Sequence, residues 1–279
     1  MHWIAPAKIN LFLHVLRKRA DGYHDIFSLM QKISLYDELI FSPCPQNIIL
    51  ECPGTNLPTN ENNLIVRAAK AVFDYCDYRS GIKITLHKRI PMTAGLGGGS
   101  SDAATTLMAL NKVCSLNLKK TELLKIGAKL GADVPFFLFG NEALASGIGD
   151  RLKHLDPLPP INLLLIKPPF ELSTKMVYQN LNLRLTRGKN NYSIPRILDL
   201  SDIVHLLHND LESVSLKMHP ELVDLKKMLL SHGALGALMS GSGPTVFGIF
   251  RNGQEAEKAL EVIKKEVSEK YVLFLANSM

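Results

Sequence analysis

Four glycines stand within five positions in Gly95-Leu96-Gly97-Gly98-Gly99, and two serines follow. Glycine lets a backbone adopt φ > 0 and come close to a ligand. The stretch opens a helical spacing that starts at Ser101, which Ser100 or Ser101 is placed to cap. Unpaired N–H groups at a helix N-terminus, with the helix dipole behind them, form an anion site, and phosphate is its usual occupant. The GxxxxGK[ST] template fails because no Lys follows the glycines, and GxGxxG fails because Ser100 stands where the third glycine belongs. Neither HRD nor DFG occurs. A plain strand-to-helix turn does not need so many glycines. Pro91, Met92, Thr93, Ala94, Gly95, Leu96, Gly97, Gly98, Gly99, Ser100 and Ser101 therefore read as a phosphate-cradling loop of another type.

A second cluster, Ser240-Gly241-Ser242-Gly243-Pro244, lies between two apolar segments. Alone it reads as a hairpin turn; with the first loop it could close over the same nucleotide. His205-x-x-His208, with Asp210 after it, has metal-like spacing. It falls in a helical stretch without a partner motif, so surface or packing is the reading, and no metal site is assigned.

These residues need elements to hold them. Alternation marks strands at Ile9, Leu11, Leu13 and Val15, at Ile33 and Leu35 with Leu39 and Phe41 after a polar break, and at Ile82, Ile84 and Leu86. Helical spacing covers Leu64–Tyr75, Ser101–Val113, Thr121–Leu130 and Glu221–Leu230. A last helix, with Ala256, Ala259, Leu260, Ile263 and Val267 on one face, is expected to end near Lys270. Asp156-Pro-Leu-Pro-Pro160 is the best boundary, before a strand-like Ile161–Ile166, and it divides the chain into 1–158 and 159–279. Thr186–Tyr192 reads as a polar loop. Strands and helices mix without a regular βαβ beat, so the fold class is α+β.

Composition narrows the function. The 279 residues are 46% hydrophobic and 21% charged, too apolar for disorder and long enough for one large or two modest domains. No apolar run approaches the ~20 residues of a membrane span, and the start lacks the basic region of a signal peptide. Cys44, Cys52, Cys76 and Cys114 form no CxxC pair and suit free thiols in a reducing cytoplasm. The net charge of +6, with aromatics at 7% and only Arg17–Arg19 as a basic run, does not indicate a nucleic-acid surface. A few basic groups facing an anionic small molecule is the more economical reading. A solvated surface with mild bias fits composition equally well.

Three segments, in order, resemble the motifs of the GHMP small-molecule kinases: Lys8-Ile-Asn10-Leu, Pro91 to Ala103, and Met239 to Thr245. Arg19-Ala-Asp-Gly-Tyr23-His24, Asn63-Leu-Ile-Val-Arg67, the triple glycine before Ser100, and Gly131-Ala-Asp133-Val-Pro-Phe136 are similar to the branch whose acceptor carries a cytidine diphosphate. The resemblance implies a two-domain GHMP kinase fold. Its N-terminal half, like domain 2 of ribosomal protein S5, binds ATP, and a ferredoxin-like C-terminal half completes the substrate cleft. It implies transfer of the ATP γ-phosphoryl group to a tertiary 2-hydroxyl, with Mg²⁺ accompanying ATP. The partners would be ATP and the small cytidyl diphosphate substrate, with no nucleic acid and no membrane, in a monomer or homodimer.

On residue type alone, Asp133 reads as a turn residue and Lys8 as a strand residue facing solvent. The resemblance instead gives Asp133 the role of general base and Lys8 that of pairing with it and steadying the migrating charge. It places Asn63 near the adenine, Lys88 or Arg89 toward the phosphates, and Asn10 on the acceptor. Tyr23 and His24 hold the cytidine part, with Thr174 on a substrate hydroxyl and Tyr178 on the cytosine. Asp102 carries a charge that would repel phosphate unless it turns away, and it is not assigned as a ligand. The competing readings are a homoserine or mevalonate type of kinase, a non-catalytic nucleotide or metabolite sensor on the same fold, and an RNA-binding module. The Asp21-Gly-Tyr-His24 segment argues against the first, and retention of Lys8, Asp133 and the glycine loop against the second. Only the short basic run supports the third.

Overall fold

The protein is described by a computed structural model covering residues 1–182 and 196–279. The loop expected at Thr186–Tyr192 lies outside the described residues. No helix among those described is long and apolar enough to cross a membrane. The four cysteines are free thiols.

Contacts group the chain into two compact units that interleave along the sequence. The first holds Met1–Ala7, Tyr36–Met92 and Gly97–Asn141; the second holds Lys8–Leu35, Thr93–Leu96 and Glu142–Met279. This is a different partition from the halves 1–158 and 159–279. Two long strands, β1 (His2–Lys18) and β2 (His24–Cys44), contribute to both units.

In the first unit, β3 (Ile48–Glu51) runs parallel to β4 (Gly81–His87), and β4 pairs antiparallel with the end of β2, Glu38 opposite His87 and Cys44 opposite Gly81. Between β3 and β4 comes α1 (Leu64–Cys76); α2 (Gly98–Val113), α3 (Lys120–Leu130) and α4 (Val134–Phe139) follow. Ala68 and Ala69 of α1 and Ala103 and Ala104 of α2 are fully buried, which suits two helices that pack on each other. Leu107, Leu110, Ile65 and Val72 fill the space around them, each contributing about 1.5–3 kcal/mol by burial.

The polar break expected in the second strand is no break. Leu35, Asp37, Leu39 and Phe41 all lie on the inward phase of one continuous β2, and Asp37 is buried with them. The first helix of the glycine loop also differs from expectation. It starts at Gly98, with Gly97 (φ +69°) as its N-cap, so Ser100 and Ser101 lie inside the first turns and cap nothing. A left-handed cap position favours glycine over serine.

In the second unit, β5 (Glu142–Gly147) pairs antiparallel with Ile26–Gln31 of β2 and with β6 (Arg151–Lys153). After β7 (Asn162–Lys167) come α5 (Thr174–Gln179), α6 (Leu200–Leu206), the short β8 (His208–Asn209), α7 (Glu212–Met218) and α8 (Glu221–Ser231). A hairpin of β9 (Gly236–Met239) and β10 (Val246–Phe250), then α9 (Gly253–Glu266) and β11 (Val272–Asn277), complete the chain. The last helix stops at Glu266, short of Lys270, because Val267 takes extended backbone at its C-cap.

The four-stranded antiparallel sheet has the order β11-β7-β10-β9. This is the ferredoxin-like arrangement, in which two later strands flank the first. The inner position of β7 explains why Leu163–Ile166 is an unbroken apolar run buried on both faces. Leu222, Leu225 and Leu229 of α8 and Ala256, Ala259 and Ile263 of α9 belong to the same core. At the other end of the unit, β8 runs parallel to β1, with Phe12 opposite His208.

Candidate active site

The first unit carries the start of α2. Ser101 N donates to Gly97 O at 2.9 Å and is the first intrahelical donor, so the N–H groups of Gly98, Gly99 and Ser100 have no acceptor within the helix and point out of its end. No acidic residue occupies that first turn. A Cβ on Gly98 would stand 2.9 Å from Lys88 Nζ and 3.0 Å from Ile90 Cγ2, so glycine is needed there for close packing. The Ser101 hydroxyl is buried without a hydrogen-bond partner among the described residues. Such an end, with its dipole, fits an anion with several acceptor oxygens.

Beside it sit two buried carboxylates and a half-buried ammonium. Lys88 Nζ donates to Asp37 Oδ2 at 2.5 Å and to Asp102 Oδ2 at 2.8 Å, while Asp37 Oδ1 accepts from the N–H groups of Arg89 (2.6 Å) and Ile90 (2.8 Å). Burial opposes the Lys88 charge, but Asp102 and Asp37 more than offset that and hold its pKa above the ordinary value. Burial pushes the Asp102 carboxyl up to about 7; Asp37 adds to the rise and Lys88 opposes it. Lys88 Nζ sits beside Gly98 with the two carboxylates on it, and Arg89 is held by Glu38 at 2.7 Å, with its guanidinium 5.4 Å from the Tyr36 ring centre. Asp37 escaped the sequence reading, although its place on the inward phase of β2 was a usable signal.

Asn63 caps α1: its Oδ1 accepts from Ile65 N at 2.9 Å and its Nδ2 donates to Pro58 O at 2.8 Å. Asp133 is the N-cap residue of α4, half-buried, and its side chain makes no capping bond. A Cβ on Gly131 would lie 3.9 Å from the Ser100 hydroxyl, so the turn bearing Asp133 runs beside the start of α2.

In the second unit, Lys8 and Asn10 share one face of β1 and are both buried. Lys8 Nζ donates to Asn10 Oδ1 at 2.5 Å, Asn10 Nδ2 to Ser28 Oγ at 2.8 Å, and Ser28 Oγ to Phe12 O at 2.6 Å. The two glycine clusters meet here. Ser240 Oγ donates to Gly95 O at 3.0 Å, Lys8 N donates to Leu96 O at 3.0 Å, and a Cβ on Gly241 would sit 3.4 Å from both Lys8 Nζ and Asn10 Oδ1. Asn209 Nδ2 fixes the second cluster through Met239 O and Gly241 O, at 2.8 and 2.7 Å. The cluster is a hairpin turn, and it packs on the first loop.

α5 presents Thr174 and Tyr178 four residues apart. Thr174 Oγ1 is 2.8 Å from Ser242 Oγ, and the Tyr178 ring lies 5.1 Å from that of His24. Burial, with the Lys18 charge, keeps the His24 pKa below its ordinary value, which favours the neutral imidazole. Tyr23 is 58% exposed at a turn set by Arg19 N to Tyr23 O (2.8 Å) and Tyr23 N to Asp21 Oδ1 (3.1 Å). Its exposed ring is available to a ligand.

The His205/His208 spacing dissolves in three dimensions. His205 is on α6 and its Nδ1 meets Ser201 O at 2.7 Å, whereas His208 begins β8, outside the expected helix. His208 stacks on His14 at 4.5 Å and meets Asp210 at 2.7 Å. His14, His208 and Asp210 bring their ligand atoms within 4.8 Å. Asp210 also accepts from Val15 N at 2.7 Å, which pins β8 to β1.

Two family descriptions match the chain: GHMP kinases N terminal domain over residues 63–141 and GHMP kinases C terminal over 193–269. The chain belongs to the GHMP kinase family, which is the class the glycine loop and the ferredoxin-like sheet define. Within it, the chain is similar to proteins named 4-diphosphocytidyl-2-C-methyl-D-erythritol kinase. One from Syntrophus aciditrophicus (strain SB) is 58% identical over 262 residues, 94% of each chain. One from Syntrophotalea carbinolica (strain DSM 2380 / NBRC 103641 / GraBd1) is 51% identical, covering 93% of this chain and 92% of its own. A crystal structure of 4-(cytidine 5'-diphospho)-2C-methyl-D-erythritol kinase superposes with a TM-score of 0.83 at 33% identity, over 100% of this chain and 99% of the other. Homoserine kinase from Cytophaga hutchinsonii ATCC 33406, at 21% identity and a TM-score of 0.72, shares the fold.

Proposed function

We propose that this protein transfers the γ-phosphoryl group of ATP to the 2-hydroxyl of 4-diphosphocytidyl-2-C-methyl-D-erythritol, giving the 2-phosphate and ADP, in non-mevalonate isoprenoid precursor synthesis in the cytoplasm. The observation that carries this reading is the 58% identity over 94% of the chain to a relative of that name. The buried Lys8–Asn10 pair under the two joined glycine clusters supports it.

Phosphoryl transfer asks mainly for positioning and charge neutralisation. The new bond joins the acceptor oxygen to the γ-phosphorus, and the bond from that phosphorus to the β–γ bridging oxygen breaks, leaving ADP. Asp133 takes the hydroxyl proton as general base, help typically worth about 10²–10⁴-fold. Lys8 steadies the charge on the moving group, and Asn10 holds it in place while orienting the acceptor. The N–H groups of Gly98–Ser100 receive phosphate oxygens, and Asn63 shapes the adenine side by capping α1. Mg²⁺ would accompany ATP and would supply neutralisation of the phosphate charge. Tyr23, His24, Thr174 and Tyr178 hold the cytidyl part. The working unit is a monomer or homodimer.

A steady-state ATPase-coupled assay with this acceptor, homoserine and mevalonate tests the reading. Turnover with the cytidyl acceptor alone is expected. Turnover with another acceptor instead would overturn the specificity while leaving the kinase class.

A further inference from the structure

Asp37, Lys88 and Asp102 put two carboxylates on one ammonium, and both carboxylates are buried: Asp37 is 0% and Asp102 3% exposed, while the Lys88 side chain is 10% exposed. The two acids are unequally served. Asp37 accepts from Lys88 and from two backbone N–H groups. Asp102 Oδ2 accepts from Lys88, its carboxyl interacts with that of Asp37, and its Oδ1 is buried without a hydrogen-bond partner among the described residues. An ionised oxygen left in that state is costly, and a neutral carboxyl much less so. Of a pair with one proton to share, Asp102 is therefore the acid that holds it. The groups that bear on Asp102 are Lys88 and Asp37, and the Cys52 thiol interacts with it at longer range.

Asp102 also stands on the helix whose first turn meets the phosphates in the function proposed above, on which this inference rests. It lies four residues beyond Gly98, about 6 Å further along the axis. An ionised Asp102 opposes the helix-end field just where a triphosphate arrives; a protonated one does not. The position of Lys88 is fixed by Asp37 and by the bare Cα of Gly98, where a Cβ would intrude on the ammonium.

We infer that Asp102 is a positioning residue for the nucleotide, taking up a proton from bulk water when the phosphates dock on the first turn of α2, while Lys88 and Asp37 hold it in register. A carboxyl that titrates near neutrality, as burial makes this one, has the proton exchange within reach at physiological pH.

Calorimetry of MgADP binding to the full-length protein, in buffers of different ionisation heat, counts the proton directly. At pH 7.5 the wild type is expected to take up about 0.2–0.5 proton, and the isosteric Asp102→Asn less than ~0.1. MgADP affinity should fall several-fold between pH 6.5 and 8.5 in the wild type relative to the variant. A merely structural role would lower affinity equally at every pH. Equal proton uptake by the two proteins overturns the inference but leaves nucleotide binding at the loop intact. A wild type that binds no MgADP removes both the inference and the reading beneath it.

Discussion

The bare Cα of Gly95 faces the carbonyl oxygen of Ser240 so closely that a Cβ there would stand 2.1 Å from it, while the Ser240 hydroxyl donates back to Gly95 O at 3.0 Å. Backbone meets backbone at this point, and no rotamer change can make room. With φ at +76°, Gly95 is held by conformation as well as by space. Gly95→Ala should cost more than the ~1–2 kcal/mol of the left-handed backbone alone, and should raise the KM for ATP by tenfold or more. Chemical denaturation and steady-state kinetics check both. An unchanged midpoint and KM would mean the two loops do not depend on each other.

Asp102 sets a pH dependence of stability. Its folded pKa of about 7 lies above its ordinary 3.8, so the stability it contributes is fully present below pH 3.8 and is lost as pH rises through 7. Asp102→Asn should therefore gain on the wild type between about pH 4 and 7, by a few kcal/mol at most, and hold a constant lead above that. Urea titrations at several pH values would reveal the slope. A difference between the proteins that does not vary with pH would contradict it.

Asp133→Asn keeps the shape of the α4 N-terminus and removes the carboxylate proposed as the base. It should lower kcat by about 10²–10⁴-fold with little change in ATP affinity. Lys8→Ala should lower kcat as strongly. It also leaves Asn10 Oδ1 without its 2.5 Å donor, so it should cost about 1–3 kcal/mol of stability. Nucleotide binding by calorimetry, set beside kcat, separates lost chemistry from lost folding.

Tyr178→Ala and Tyr23→Ala should raise the KM for the cytidyl acceptor and leave that for ATP within about twofold, each lost stacking contact being worth ~1–3 kcal/mol. Tyr178→Phe should behave as wild type if the ring beside His24 is what matters. Equal effects on both substrates would move these residues out of the acceptor site.

Much of this was legible in the sequence, and the residues show why the rest was not. Alternation found β1 and β4, and helical spacing found α1, α3 and α8, because apolar residues recur along one face of each. The boundary of α2 was missed because serine is the common cap, and only backbone geometry reveals that Gly97 takes the left-handed position. Asp37 was read as an interruption because polar residues usually leave a strand's core. It stays because Lys88 and two backbone N–H groups satisfy it. Lys8 could be named but its neighbours could not: the Asn10–Ser28–Phe12 chain and the approach of Gly241 depend on pairing across long sequence separations. His208 was grouped with His205 by spacing, whereas in the fold it lies opposite Phe12 and stacks on His14.

The central claim is where the phosphoryl group goes. Phosphorus NMR of the products formed from ATP and 4-diphosphocytidyl-2-C-methyl-D-erythritol follows it directly. The account predicts a new phosphomonoester on the 2-hydroxyl, with the diphosphate bridge intact and ADP in equal amount. Release of inorganic phosphate with the acceptor unchanged, or a phosphoester at any other position, would contradict it.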